Sequence, residues 1–416
     1  MALNNLKTLS QIEKTKDIVP LKKTTYPGTH CPLFGATITL RLIKDCYILV
    51  IGTEECTYYT KNLSTVFEEF GGIDGRILSF VMDKHDVTFG CKEKLEKAIE
   101  KIIEEDKPPA IFLLTTCVPE ITGEDFSSLS KKLTPKYNIP IVCVHTEHFR
   151  CNSHLLGIEN VLNACSEFMQ ENEKTFSINI LGQKDEKSEL INYLKESKIN
   201  INLTLPSNCS IDEIKNASKA MLNIVCDRTA ENLAKIMEKK FNIPYVSFVY
   251  KCSSKEIFEG YKEVFSKLNL DLPSSIEERK KEIDFKIENA KNLLSAKSFI
   301  LGISKVETFP LINFLCDLGL EPKLIQVKDI YLQDKKYIEK IIEKFDPYIT
   351  ISANLSGIYE LMPVLKPNFY IGPIQASVCQ EYNINQVTLS KSTMYLGFDL
   401  LEHIINIFLE KLEKEK

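Results

Sequence analysis

Short apolar runs of strand length alternate with amphipathic stretches of helix length almost from end to end of the chain, the pattern of repeated βα units around parallel sheets. The first third holds the strand candidates CYILVIG (46–52), RILSFVM (76–82), AIFLLT (110–115) and IPIVCVHT (139–146), separated by helices such as CKEKLEKAIEKIIEE (91–105). A second block runs FSINILG (176–182), INLTL (201–205), AMLNIVC (220–226) and PYVSFVY (244–250). A third runs SFILGIS (298–304), PKLIQV (322–327), YITIS (348–352) and NFYIGPI (368–374). Between the last two blocks, SSIEERKKEIDFKIENAKNLLSAK (274–297) predicts one long connecting helix opened by a Ser cap.

The expected class is α/β, with three Rossmann-like domains, each a mainly parallel sheet flanked by helices. The boundaries fall at 1–172, 173–273 and 274–416, the last span including the connecting helix and a C-terminal helix. With 44% hydrophobic residues, 26% charged and a net charge of −5, the composition is that of a globular protein with a sizeable core. Nucleic acid is not an expected partner, because the basic residues are nearly all Lys and form no basic face interleaved with aromatics. The start lacks an apolar signal core and no run approaches 18 apolar residues, so no membrane segment is expected and the reading is cytoplasmic.

Motif absences narrow the chemistry. There is no GxxxxGK[ST] loop and no GxGxxG after a strand, so ATP consumed in any reaction must be hydrolysed by another chain. Thirteen cysteines, an odd number in a chain read as cytosolic, form no disulfide framework, and no CxxC or HExxH motif occurs. Any metal site must be assembled from distant segments.

Ligands in an open α/β sheet are expected at the carboxyl ends of parallel strands. Three cysteines fit. Cys31 lies in YPGTHCPLFGA with Pro32 at the first position of a helix, Cys56 follows CYILVIG, and Cys117 follows AIFLLT. An iron–sulfur cluster with thiolate ligands is an anion, and helix N-terminal NH groups stabilise it. Cys46, Cys143, Cys165 and Cys316 fall inside strands or helices and read as small buried hydrophobes, and Cys209 as incidental beside a capping box. Cys91, Cys151, Cys252 and Cys379 stay undecided. Three thiolates are one too few for a closed four-ligand cluster, so the fourth is a carboxylate, a water, a Ser or a residue of a second chain.

The order Cys-x24-Cys-x60-Cys, with CPLFGA, LVIGTEEC-x-YY, DVTFGCKEKLEKAI, AIFLLTTCVPEITGED and HTEHFR, resembles the nitrogenase component 1 family over nearly the whole chain. That family includes the nitrogenase molybdenum–iron protein subunits, the scaffold on which their cofactor is assembled, and nitrogenase-like tetrapyrrole reductases. The short chain and tight spacing look more like the tetrapyrrole-reductase branch. The resemblance implies that Cys31, Cys56 and Cys117 hold an interface iron–sulfur cluster, [4Fe–4S] or P-cluster-like, completed by a sister subunit. Glu120, Gly123 and Asp125 are assigned to shaping the loop around the third ligand.

The segment NIVCDRTAENLAKIMEKKFNIPYV resembles the nitrogenase α-subunit stretch whose Cys binds the active-site metallocluster, here Cys226. Cys226 is read either as ligand to a second metallocofactor or substrate-facing thiol, or as a plain buried Cys. Nitrogenase anchors molybdenum with a His shortly before its GYDG motif, whereas INQVTLSKSTMYLGFDL (384–400) contains none, although Gly397, Phe398 and Asp399 are kept. His154 falls where nitrogenase lines its cofactor pocket, placed to donate a proton or hydrogen bond unless it is a surface or satisfied core His. Arg150 either binds a substrate carboxylate or caps the domain.

The implied function is one subunit of a nitrogenase-like reductase. Electrons from an ATP-hydrolysing iron protein would pass through the interface cluster to a buried substrate or cofactor, with a homologous sister or second copy completing a dimer or heterotetramer. The alternatives are a scaffold for assembling a complex iron–sulfur cofactor, and a cluster-free three-domain binding protein.

Overall fold

A computed structural model describes residues 3–21, 30–66, 75–149, 153–183, 189–302, 304, 306–351, 356–389 and 395–413. After a short β1 (Lys7–Thr8), the chain builds its first sheet from β2 (Tyr47–Gly52), β3 (Ile77–Val81), β4 (Ile111–Thr115) and β5 (Ile141–His145). Helices interleave them: α1 (Pro32–Leu40), α2 (Glu54–Val66), α3 (Lys84–Phe89), α4 (Lys92–Asp106), α5 (Cys117–Thr122), α6 (Phe126–Tyr137) and α7 (His154–Cys165). The order is β3-β2-β4-β5 and every pairing is parallel. All five residues of β4 are buried, as a strand covered on both faces requires, which is why its first four, IFLL, read as an unbroken apolar run.

The second sheet, β6 (Ser177–Gln183), β7 (Asn200–Pro206), β8 (Leu222–Val225) and β9 (Tyr245–Ser247), repeats the plan in the order β7-β6-β8-β9, again all parallel. The third sheet joins β10 (Ser298–Leu301), β11 (Glu321–Val327), β12 (Tyr348–Ile351), β13 (Phe369–Ile371) and β14 (Asn385–Val387) to β1, in the order β1-β12-β11-β10-β13-β14. Only β1 runs antiparallel there. In each sheet the chain winds outwards in both directions from the first long strand, leaving a crevice beside that strand's carboxyl end where the winding reverses.

The first two sheets lie in one compact unit, residues 29–186 and 198–247, and the third in another, residues 1–28, 187–197 and 248–416. No helix among the described residues is long and apolar enough to cross a membrane.

Two local expectations need correcting. The connecting helix spans Ser274–Leu294, and its N-cap is Pro273 with no side-chain cap bond, so Ser274 sits inside the first turn. A proline cannot donate a backbone N–H and suits the boundary better than the Ser that follows it. The predicted strand 244–250 is paired only over Tyr245–Ser247, because Phe248 and Lys251 close a turn through a 3.0 Å backbone bond.

Candidate iron–sulfur site

The crevice of the first sheet lies between β2 and β4, and these two strands deliver Cys56 and Cys117. Cys56 is the third residue of α2, and Cys117 opens α5 directly after Thr116. Cys31 arrives from outside the sheet as the N-cap of α1, with Pro32 in the first turn. The backbone of Cys31 is extended, so its carbonyl enters the helix while its side chain stays clear of it.

The three thiols share one electrostatic environment. Burial raises the Cys56 pKa, the neighbouring Cys117 and Cys31 thiols raise it further, and the Thr53 and Thr116 side chains act against them. Each of the three residues is half-buried, whereas Cys46, Cys91, Cys143, Cys165, Cys209, Cys252, Cys316 and Cys379 are buried. Around the thiols, Tyr59 places its hydroxyl 2.6 Å from Nδ1 of His30, and its pKa is raised by burial and by Cys31. The closeness of Thr116 depends on Gly52 at the end of β2, since a Cβ there would stand 2.1 Å from the Thr116 hydroxyl.

The loop after Cys117 is closed by side chains. Glu120 accepts hydrogen bonds from the Thr115 hydroxyl and, at 2.6 Å, from Nδ1 of His145. Gly123 ends α5 in the left-handed region at φ 77°, and Asp125 caps α6 by accepting from the Ser128 N–H at 2.9 Å. Gly123 and Asp125 thus turn and cap the chain, while Glu120 ties side chains together. His148 places Nδ1 2.9 Å from Cys117 Sγ. Glu120, His145 and Glu147 also bring one donor atom each within 4.8 Å of one another behind this loop.

The remaining expected residues lie elsewhere. His154 is the first residue of α7 and meets the Phe34 ring of α1 edge-on at 6.3 Å between centroids, one turn beyond Cys31. Cys226 follows β8 at the crevice of the second sheet, its N–H bonded to the Leu181 carbonyl at 2.8 Å. Burial, then Asp227, pushes its thiol pKa well up. Arg150 and Cys151 lie outside the described residues.

A donor set of three converging thiols, one at the N-cap of α1 and two in the first turns of α2 and α5, fits a thiolate-ligated cluster better than a hard cation. It leaves a fourth position to be filled from beyond the three. Residues 31–399 match the family described as nitrogenase component 1 type oxidoreductase. The chain belongs to the nitrogenase component 1 family. The matched span begins at Cys31 and ends at Asp399.

Among relatives in this family, the nitrogenase iron-molybdenum cofactor biosynthesis protein NifE of Clostridium pasteurianum is 31% identical over 351 residues, 80% of this chain and 74% of its own. The nitrogenase molybdenum-iron protein alpha chain of the same organism is 24% identical, covering 90% of this chain and 74% of that one. A solved structure, nitrogenase Cp1 at pH 6.5, superposes with a TM-score of 0.78 at 18% identity over 95% of each chain, so the α/β fold is that of the family.

Proposed function

We propose that this chain is one subunit of a multi-subunit nitrogenase-like protein in which Cys31, Cys56 and Cys117 supply one half of an interface iron–sulfur cluster, and that it serves the assembly of a complex metallocofactor. The convergence of the three thiols at the crevice between β2 and β4 carries the first part of this reading. A bound cluster would supply one-electron chemistry. The chain's own residues hold two of the thiolates just past strand ends and the third at the N-terminus of α1, with Tyr59 and Thr116 beside them.

Completion by a second subunit is supported by apolar side chains on the same edge of the sheet. Tyr58, Phe89, Ile121 and Phe149 follow β2, β3, β4 and β5 in turn and are 66%, 76%, 70% and 49% exposed. Exposed large apolar groups following every strand at the edge that carries Cys56 and Cys117 are what a subunit interface there would bury.

Similarity to NifE, together with Cys226 at the second crevice and no His in 384–400, favours the scaffold role. A reductase taking electrons from an ATP-hydrolysing iron protein is the second reading, favoured by the similarity to the molybdenum-iron protein alpha chain.

The test is anaerobic purification of the full chain with its co-expressed genomic neighbours, followed by iron and sulfide analysis and EPR. Wild type is compared with Cys31→Ala, Cys56→Ala, Cys117→Ala and Cys226→Ala. Loss of one cluster signal in each of the first three, and of a separate signal in Cys226→Ala, supports the scaffold. A single cluster untouched by Cys226→Ala, reduced on addition of an iron protein and ATP, favours the reductase. No iron in any preparation overturns both.

A further inference from the structure

Cys117 differs from the other two cysteines in what addresses its sulfur. The imidazole Nδ1 of His148 lies 2.9 Å from Sγ, and the backbone N–H of the same residue points at that sulfur from 3.3 Å. We propose that His148 is a positioning residue for the cluster. It donates both hydrogen bonds to the Cys117 thiolate, fixes that ligand's direction and makes the cluster easier to reduce. This rests on the cluster reading above.

The contact is built by the sheet. β4 and β5 pair in register with Thr115 opposite His145. Beyond the last pair, the Thr146 N–H and hydroxyl both bond the Thr115 carbonyl, at 3.0 and 2.7 Å. His145 is held as well, through Glu120 on its ring and through Asn160, whose amide donates to its carbonyl at 2.9 Å. With both chains pinned at the strand ends, the residue two past Thr115 and the residue three past His145 are brought together. A sulfur that ligates iron is an acceptor, so the imidazole takes the tautomer with hydrogen on Nδ1. Hydrogen bonds to a ligating sulfur draw negative charge off the cluster and favour its reduced state, one of the ways proteins set cluster potentials.

The backbone donor survives substitution of 148 by Phe or Asn, which lets the ring's share be read by itself. The experiment uses the full-length chain purified anaerobically with its co-expressed genomic neighbours, as wild type, His148→Phe and His148→Asn. Iron content, the EPR spectrum and the midpoint potential from an EPR-monitored redox titration are compared. The expected result is wild-type iron in all three. His148→Phe shifts to a more negative potential with an altered spectrum, and His148→Asn, whose amide donates from nearly the same place, returns towards wild type.

A His148→Phe protein with full iron and an unmoved potential overturns the proposal while leaving the cluster reading intact. So does a His148→Asn protein that behaves like His148→Phe. Loss of iron from a folded His148→Phe but not from His148→Asn supports a stronger positioning role. A wild-type complex that holds no iron overturns the cluster reading, and this proposal with it.

Discussion

The backbone carbonyl of His154 occupies the space that a side chain on Gly35 would need, its oxygen 1.8 Å from where a Cβ would stand. Gly157 reciprocates, its absent Cβ lying 1.8 Å from the Pro32 carbonyl oxygen. Helices α1 and α7 therefore meet backbone to backbone. Gly35→Ala is expected to push them apart at a cost of about 1–3 kcal/mol, the usual range for overpacking. Because Cys31 caps α1, the variant should also lose iron after anaerobic loading. Urea unfolding and iron analysis check the two effects, and an Ala variant of wild-type stability would refute the close contact.

Glu120 ties the Cys117 loop to β5. Removing its carboxylate leaves the Thr115 hydroxyl and His145 Nδ1 without this acceptor, so Glu120→Ala should cost about 1–3 kcal/mol. Its sharper signature is faster iron release to a chelator, with Glu120→Gln intermediate because the amide oxygen still accepts one bond. Equal release from all three proteins would remove the loop role.

Cysteine labelling separates the thiols. Cys31 and Cys117, half-buried at the sheet edge, should be carboxymethylated first in the native apo-protein, and Cys56 more slowly because burial and its neighbouring thiols raise its pKa. Cys165, Cys209 and Cys252 are buried and should wait until denaturation, whereas the half-buried Cys226 should react slowly in the native protein because burial and Asp227 raise its thiol pKa. Time-resolved mass spectrometry reads the order, and early labelling of Cys165 would contradict the packing.

In the other unit, Glu189 is buried. It accepts hydrogen bonds from the Tyr261 hydroxyl at 2.8 Å and from the Phe398 N–H at 3.3 Å, beside Arg279 and Asp399. Burial and then Asp399 push its pKa up to about 8, against opposing effects of Tyr261 and Arg279. A folded-state pKa above the unfolded one means the protonated form is favoured by folding. That contribution is complete below the unfolded value of 4.5 and is lost as pH rises to about 8. Thermal or urea midpoints should fall over that window in wild type and fall less in Glu189→Gln, whose amide keeps a donor facing Asp399. Parallel pH profiles would sink this assignment.

Much of the fold was legible because strands buried on both faces cannot hide. CYILVIG, AIFLLT and SFILGIS announce themselves as apolar runs, and Cys56 and Cys117 stand out as the polar groups just past their ends. The two strands that were not read, β1 and β14, are short and polar, two and three residues that pair only because a neighbour is already in place. The link between Cys117 and His148 has no sequence signature either. HTEHFR contains the histidine, but its meeting with a sulfur 31 positions earlier follows from the β4–β5 register and the Thr146–Thr115 bonds. His154 was weighed as a pocket residue, and its partner Phe34 lies more than a hundred positions upstream, where only tertiary packing brings them together.

The order of strands in the first sheet carries a consequence for biosynthesis. β4 pairs beside β2 on the side opposite β3, so Cys117 reaches Cys56 only after β3 and its crossover have been made and β4 has been laid down. A nascent chain that has emerged only as far as Cys56 has no third sulfur to offer. For the proposed cluster, a chain stalled or cut before residue 117 therefore carries two of the three thiols and lacks the third, and the full ligand set exists only once β4 has been laid down.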